Sequence, residues 1–350
     1  MTRRQTTPTS RREFLKRASL GTGLGLGVLA AGCDSKKQAK APGGKTKRLR
    51  AAFSNGGLTT TFCKMGHDAA KLWGDLLDVQ IVWVDGELNP QKQREKLELI
   101  VDQDLDFCCF QALQTGALVE PVKQLAKRGI PVISMDTLIA EKPKLRESGV
   151  WTLIAGDHTK MAEQSVGYLM EKIGGRGKII HIGGASSHSG AQDRLRGFKR
   201  ILAKYPQVQV VGGGVRWCDW KTELARNTFE LLLQKSDEPI AGAFIHNDDM
   251  ALACVPALKG TPHEKMIITA VDGQPDGLEG VRDGRLAATT VNPTSMIHMM
   301  SLVVGQFIVR NGEKREDVPV EIPLPCPLVS REAGNLNAMF YLSDAKHCLV

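Results

Sequence analysis

Four arrangements that announce chemistry are missing from this sequence. It contains no His-Glu-x-x-His, no Cys-x-x-Cys, no Gly-x-Ser-x-Gly and no Gly-x-Gly-x-x-Gly placed after a strand. These are the patterns on which zinc hydrolysis, dithiol exchange, acyl transfer and dinucleotide binding rest. The eight histidines are scattered: His181 falls within an apolar strand pattern, His188 in a loop, and His246 beside Asn247. Each reads as a structural or supporting residue, so catalysis is disfavoured. Long apolar runs are lacking as well. Ala18–Gly32 is 15 residues with five glycines, short of the roughly 20 a spanning helix needs, and no spanning segment is found in the rest of the chain.

What is present begins at the N-terminus. Ser10-Arg11-Arg12-Glu13-Phe14-Leu15-Lys16 precedes that Gly-rich run, which ends in Leu29-Ala30-Ala31-Gly32-Cys33. The opening resembles a twin-arginine export signal and the close resembles a lipoprotein cleavage box with Cys33 as the lipidated residue. The expectation is an exported protein, on the periplasmic or cell-surface side of a membrane and anchored there through Cys33. Setting Cys33 aside leaves seven of eight cysteines, an odd number that argues against a complete disulfide framework. Cys108 and Cys109 are adjacent in an apolar run and read as small buried hydrophobes on opposite strand faces. Cys326 and Cys348 remain a candidate pair.

The charge balance supports the same division. Of the net +8, +5 sits before Cys33 and +6 between Cys33 and Arg50, which leaves −3 on Ala51–Val350. The basicity belongs to the signal and to a Lys/Gly/Pro-rich segment that cannot bury a core. Nucleic acid therefore loses its main support as a partner.

About 300 residues remain, enough for two domains. From Leu49 the chain alternates short β-rich runs (Leu49–Phe53, Ile81–Val84, Phe107–Phe110, Val132–Met135) with helical patterns. After Trp151 the rhythm restarts, with strands at Ile179–Ile182, Val208–Val211, Ala243–Ile245, Ile267–Val271 and Ala287–Val291. Pro256 should end or kink the helix that starts near Asp249. Such alternation means βα units, so the expected fold is α/β, two doubly wound lobes with parallel sheets.

Ligands of open α/β sheets bind beyond the carboxyl ends of the strands. Those ends carry Asn55, Asp85, Gln111 and Asp136 in the first set, and Asp219, Asn247, Asp272 and Asn292 in the second. Acids and amides at the mouths of two sheets suit a neutral polyhydroxylated ligand. Capping of the next helix is the competing role for any one of them.

Gly129–Asp136 (Gly-Ile-Pro-Val-Ile-Ser-Met-Asp), Asp193-Arg194-Leu195-Arg196-Gly197-Phe198, Asn247-Asp248-Asp249-Met250-Ala251-Leu252 and Ala270-Val271-Asp272-Gly273 resemble the ribose-type periplasmic sugar-binding proteins of ABC importers, from about Arg48 to Ser330. The resemblance implies the type 1 periplasmic binding fold with a three-stranded hinge, and a monosaccharide or polyol bound without cofactor or metal. It implies sugar contacts from Asp136, Arg194, Asn247, Asp272 and Asn292, with Trp220 and Phe62 covering the ring faces. The implied partners are an ABC permease and ATPase, and the implied state is a monomer. Lobes are expected at 48–151 plus 293–323 and at 152–292 plus 324–350, after a signal (1–33) and a tether (34–47). Crossings between lobes are expected near Val150–Leu153, Asn292–Pro293 and Ile322–Cys326. Two departures separate this chain from ribose binders. Thr137 stands where they carry Arg, and Leu58–Cys63 holds one aromatic where they have two. A sensor subunit feeding a membrane receptor and an exported sugar-acting enzyme are the alternative functions.

Overall fold

A computed structural model of the chain describes residues 47–236 and 238–347. The expected export signal, Cys33 and the Cys326–Cys348 pair lie outside or partly outside these residues. The six described cysteines, Cys63, Cys108, Cys109, Cys218, Cys254 and Cys326, are free thiols.

The first half is built from β1 (Leu49–Asn55), α1 (Thr61–Leu76), β2 (Val79–Asp85), α2 (Pro90–Glu98), β3 (Phe107–Phe110), α3 (Val119–Lys127), β4 (Val132–Met135) and β5 (Val150–Gly156). The second half follows with α4 (His158–Lys172), β6 (Gly177–Gly183), α5 (Ser189–Leu202), β7 (Val208–Val210), β8 (Arg216–Trp217), α6 (Thr222–Leu233), β9 (Gly242–Ile245), α7 (Asp248–Cys254), β10 (Ile267–Asp272), α8 (Pro275–Asp283) and β11 (Ala288–Val291). The chain then continues through α9 (Thr294–Asn311), β12 (Glu321–Leu324), β13 (Leu328–Ser330) and α10 (Leu336–Ser343).

These strands form two sheets. The first runs β12-β5-β4-β3-β1-β2, with every pairing parallel. The second runs β13-β11-β10-β9-β6-β7, with β8 also on β6, and only β13 is antiparallel among its pairs. A parallel sheet covered on both faces selects continuous apolar strands. Accordingly β3 (Phe-Cys-Cys-Phe) and β4 (Val-Ile-Ser-Met) are buried at every residue. Cys108 packs into the core on one face of the first sheet and Cys109 into the core on the other.

Helix starts follow local capping chemistry. Asn89 Oδ1 accepts from the amides of Gln91 and Lys92 ahead of Pro90 in α2. Asp157 caps α4 and Asn247 caps α7 in the same manner, each satisfying amides that would otherwise be orphaned. As expected from Pro256, α7 stops at Cys254 and passes into a 3-10 turn, Val255–Leu258.

The chain passes between the sheets three times: after Gly156, at Asn292–Pro293, and between Leu324 and Leu328. The first passage lies beyond the expected Val150–Leu153, because all of β5 pairs with β4 and β12. The tail also departs from a simple assignment to the second lobe. Helix α10 packs on α8 and β13, and the 3-10 turn Ala345–His347 then reaches α1. There Trp73 Nε1 donates to Ala345 O at 2.9 Å. The tail thus straps one lobe to the other behind the hinge.

Candidate functional site

The carboxyl ends of both sheets open onto one cavity enclosing about 430 Å³ of empty space, part of it continuous with solvent. Phe62, Asp136, Arg194, Trp220, Asn247, Asp272 and Asn292 all line it. Gln111 lines it too, while Asn55, Asp85 and Asp219 do not. Asn55 instead donates to Cys63 O at 2.8 Å, and Asp85 accepts from the amides of Leu58 and Glu87. Those two serve turns.

Asp136 follows β4 in a left-handed backbone, φ +59°, sparsely populated by non-glycine residues and common at ligand clamps. Its carboxylate accepts from Gln111 Nε2 at 2.7 Å and Asn292 Nδ2 at 2.9 Å, and lies 3.1 Å from His158 Nε2. Burial alone would raise its pKa, yet His158 and the Asn292 amide hold it well below the usual carboxylate range. Thr137 does not enter the cavity; its hydroxyl donates to Ala112 O at 2.8 Å.

Opposite stands a buried ion pair. Arg194, on α5, reaches Asp272 Oδ1 with Nη2 at 2.7 Å, and its Nη1 donates to His246 O. Gln274 Nε2 donates to Asp272 Oδ2 at 3.2 Å. Despite Arg194, burial pushes the Asp272 carboxyl up to about 6. Asn247 combines both roles foreseen for strand ends: its Oδ1 accepts from the Met250 amide at 3.0 Å, while the residue also lines the cavity. Arg194 Nε, Trp220 Nε1 and Asn292 Oδ1 are buried without a protein hydrogen-bond partner.

Trp220 holds φ +61°, with the guanidinium of Arg194 5.7 Å from its ring centroid and His188 edge-on at 5.0 Å. His188 is a lining residue that motif reading left out of the site. Its Nδ1 accepts from the Ala191 amide at 3.3 Å, and burial pushes its pKa down to about 3. The neutral ring therefore carries its proton on Nε2. Behind it, His246 Nε2 lies 2.9 Å from His181 Nε2 in a buried pair. Gly56, Thr60, Cys63, Leu88 and Leu113 complete the lining. Burial pushes the Cys63 thiol up to about 11, so it stays protonated.

The two lobes meet around the cavity. Thr61 N donates to Asp249 Oδ2 at 3.1 Å, Leu138 N to Ser189 Oγ at 2.9 Å, and Thr115 N to Ser187 O at 3.3 Å. This is a closed arrangement.

The family described as a periplasmic binding protein domain matches residues 51–306. The chain belongs to that family. The xylitol-binding protein of Mycolicibacterium smegmatis is 24% identical over 300 residues, covering 86% of this chain and 82% of that one. The ribose import binding protein of Haemophilus influenzae is 25% identical over 255 residues, covering 73% and 84%. Among solved structures, an ABC transporter solute-binding protein from Bacillus halodurans with bound myo-inositol superposes with a TM-score of 0.75 at 19% identity, covering 86% of this chain and all of that one. This periplasmic binding protein thus has the two-lobed type 1 architecture, with its cavity where the strand ends of both lobes meet.

Proposed function

We propose that this chain is the substrate-binding component of an ABC importer, holding a monosaccharide or related polyol between its lobes and presenting the closed form to a permease. The observation that carries this reading is the convergence of Asp136, Arg194, Asn247, Asp272 and Asn292, drawn from both sheets, on a cavity faced by Phe62 and Trp220. Carboxylates accept from hydroxyls, guanidinium and amide groups donate to them, and aromatic rings cover the C–H faces of a sugar. The unpartnered Arg194 Nε, Trp220 Nε1 and Asn292 Oδ1 would be satisfied by such a ligand. The relatives' ribose and xylitol specificities support the class. The sequences Ser10–Lys16 and Leu29–Cys33 support export by the twin-arginine route and anchoring through lipid on Cys33. Cys33→Ala should then release the protein from the membrane fraction.

The deciding experiment is thermal unfolding against a panel of pentoses, hexoses, deoxy sugars and polyols. A ligand at a hundred times its dissociation constant adds about 2.7 kcal/mol. A selective shift that Arg194→Ala and Asp272→Ala abolish supports the site, whereas no shift across the panel removes the sugar reading. Loss of uptake on deleting the gene separates import from signalling.

A further inference from the structure

The two walls of the cavity differ in chemistry. The wall from the second sheet offers donors and a carboxylate through His188, Arg194, Asn247 and Asp272. The wall from the first sheet, between the ends of β1 and β3, offers carbon and sulfur. Gly56 leaves a bare floor there, with the position of an added Cβ lying 3.0 Å from Leu113 Cδ2 and 3.5 Å from Cys63 Sγ. Leu88 closes this floor at the mouth.

The polar groups on this wall are largely engaged within the protein. Asp136 already has three partners in Gln111, Asn292 and His158, out of about four lone-pair positions. The Thr60 hydroxyl donates to Gly57 O and accepts from Cys63 N. Leu88 adds an independent sign. It holds φ +50°, a left-handed backbone that Asn or Gly adopts readily and Leu does not. A strained backbone beside a cleft is where ligand clamps are found, and here the strained residue presents an apolar side chain.

We infer that the ligand carries an apolar edge, a deoxy position or a C-methyl branch, seated on the patch of Cys63, Leu88 and Leu113 while hydroxyls on its other edge meet Arg194, Asn247 and Asp272. The inference rests on the sugar and polyol reading above and narrows it. Gln111 Oε1 adjoins Cys63 Sγ at 3.9 Å, but a hydroxyl over Leu88 and Leu113 loses its water without gaining a partner, whereas a methyl or methylene group buries apolar surface there.

Calorimetric titration of the full-length protein with pairs differing by one hydroxyl tests this: L-rhamnose with L-mannose, L-fucose with L-galactose, and 2-deoxy-D-ribose with D-ribose. In any pair that binds, the deoxy member should bind at least about tenfold tighter, the discrimination expected from one unpaired buried hydroxyl. Leu88→Asn, which suits the left-handed backbone, should bring the two members to within about threefold without lowering the unliganded unfolding midpoint. A parent sugar binding as tightly as its deoxy counterpart in every bound pair overturns the inference and leaves the sugar site standing. A preference unchanged in both Leu88→Asn and Leu113→Asn removes the patch as its source and overturns it too. Absence of binding by every member of the pairs and of the thermal panel removes the sugar reading, and the inference with it.

Discussion

Asp272 and Asp136 face the same cavity with opposite acid–base behaviour. The folded state raises Asp272 to about 6, mainly by burial, so the folded protein binds its proton more tightly than the unfolded chain does. Its contribution to stability is therefore greatest at low pH and declines as pH rises from the ordinary carboxylate range to about 6. Asp136 is lowered, so its contribution is present at neutral pH and lost in strong acid. Because a hydroxyl donates best to an ionised carboxylate, ligand affinity should be flat above about pH 6 and fall by up to about tenfold per unit below it. Asp272→Asn should abolish that slope in titrations across pH 4.5–8 (a range set by the ~6 midpoint). Arg194→Met strands the Asp272 carboxylate in a site where Arg194 is only 3% exposed. Denaturant unfolding at neutral pH should show a loss of about 3–5 kcal/mol, the cost of breaking a buried pair. The residues that motifs identify in sequence are those at or beyond strand ends, together with Phe62 on α1 and Arg194 on α5. Leu88 and Leu113 escaped such reading because loop geometry brings them in, and the first depends on a backbone conformation that residue type argues against. His188 escaped because capping a helix and lining a cavity look alike in one dimension.

Among the elements, the short buried strands were the most legible. Phe107–Phe110 and Val132–Met135 were expected with the bounds they have, because a four-residue apolar run between helical patterns has few other uses. The family resemblance places a crossing near Val150–Leu153, within what the structure shows as strand β5, Val150–Gly156. Its place at the sheet is fixed by pairing with β12, about 170 residues later, which no local pattern encodes. The tail helix α10 was not foreseen at all; Leu-Asn-Ala-Met-Phe-Tyr-Leu-Ser is apolar around most of its circumference, so it shows little of the one-sided pattern that marks a surface helix in sequence. Its role is tested by shortening. A chain ending at Ser330 loses both α10 and the acceptor of Trp73 Nε1, and should show a lower unfolding midpoint and weaker ligand binding. Trp73→Phe removes the hydrogen bond together with part of a buried ring, and should cost about 2–3 kcal/mol in denaturant unfolding.

For the whole molecule, the proposed function requires binding energy to be read out as closure of two lobes. The contact from Thr61 N to Asp249 Oδ2 spans them at the mouth, so it is made in the closed form and broken on opening. Asp249→Ala should leave association nearly unchanged and raise the dissociation rate several-fold in stopped-flow measurements, up to about tenfold. The two-lobed architecture was legible from the restart of the βα rhythm after Trp151, whereas contacts such as this one join residues 188 positions apart. The three passages between sheets also dictate an order of events in synthesis. The first sheet needs its edge strand β12, Glu321–Leu324, and the second needs β13, Leu328–Ser330. Neither lobe is complete until the chain has reached these strands, and the long sequence separation of their pairings makes them slow to find. A break anywhere before β12 leaves β5, a mostly buried strand, as the edge of the first sheet, with backbone groups bared that the intact chain covers.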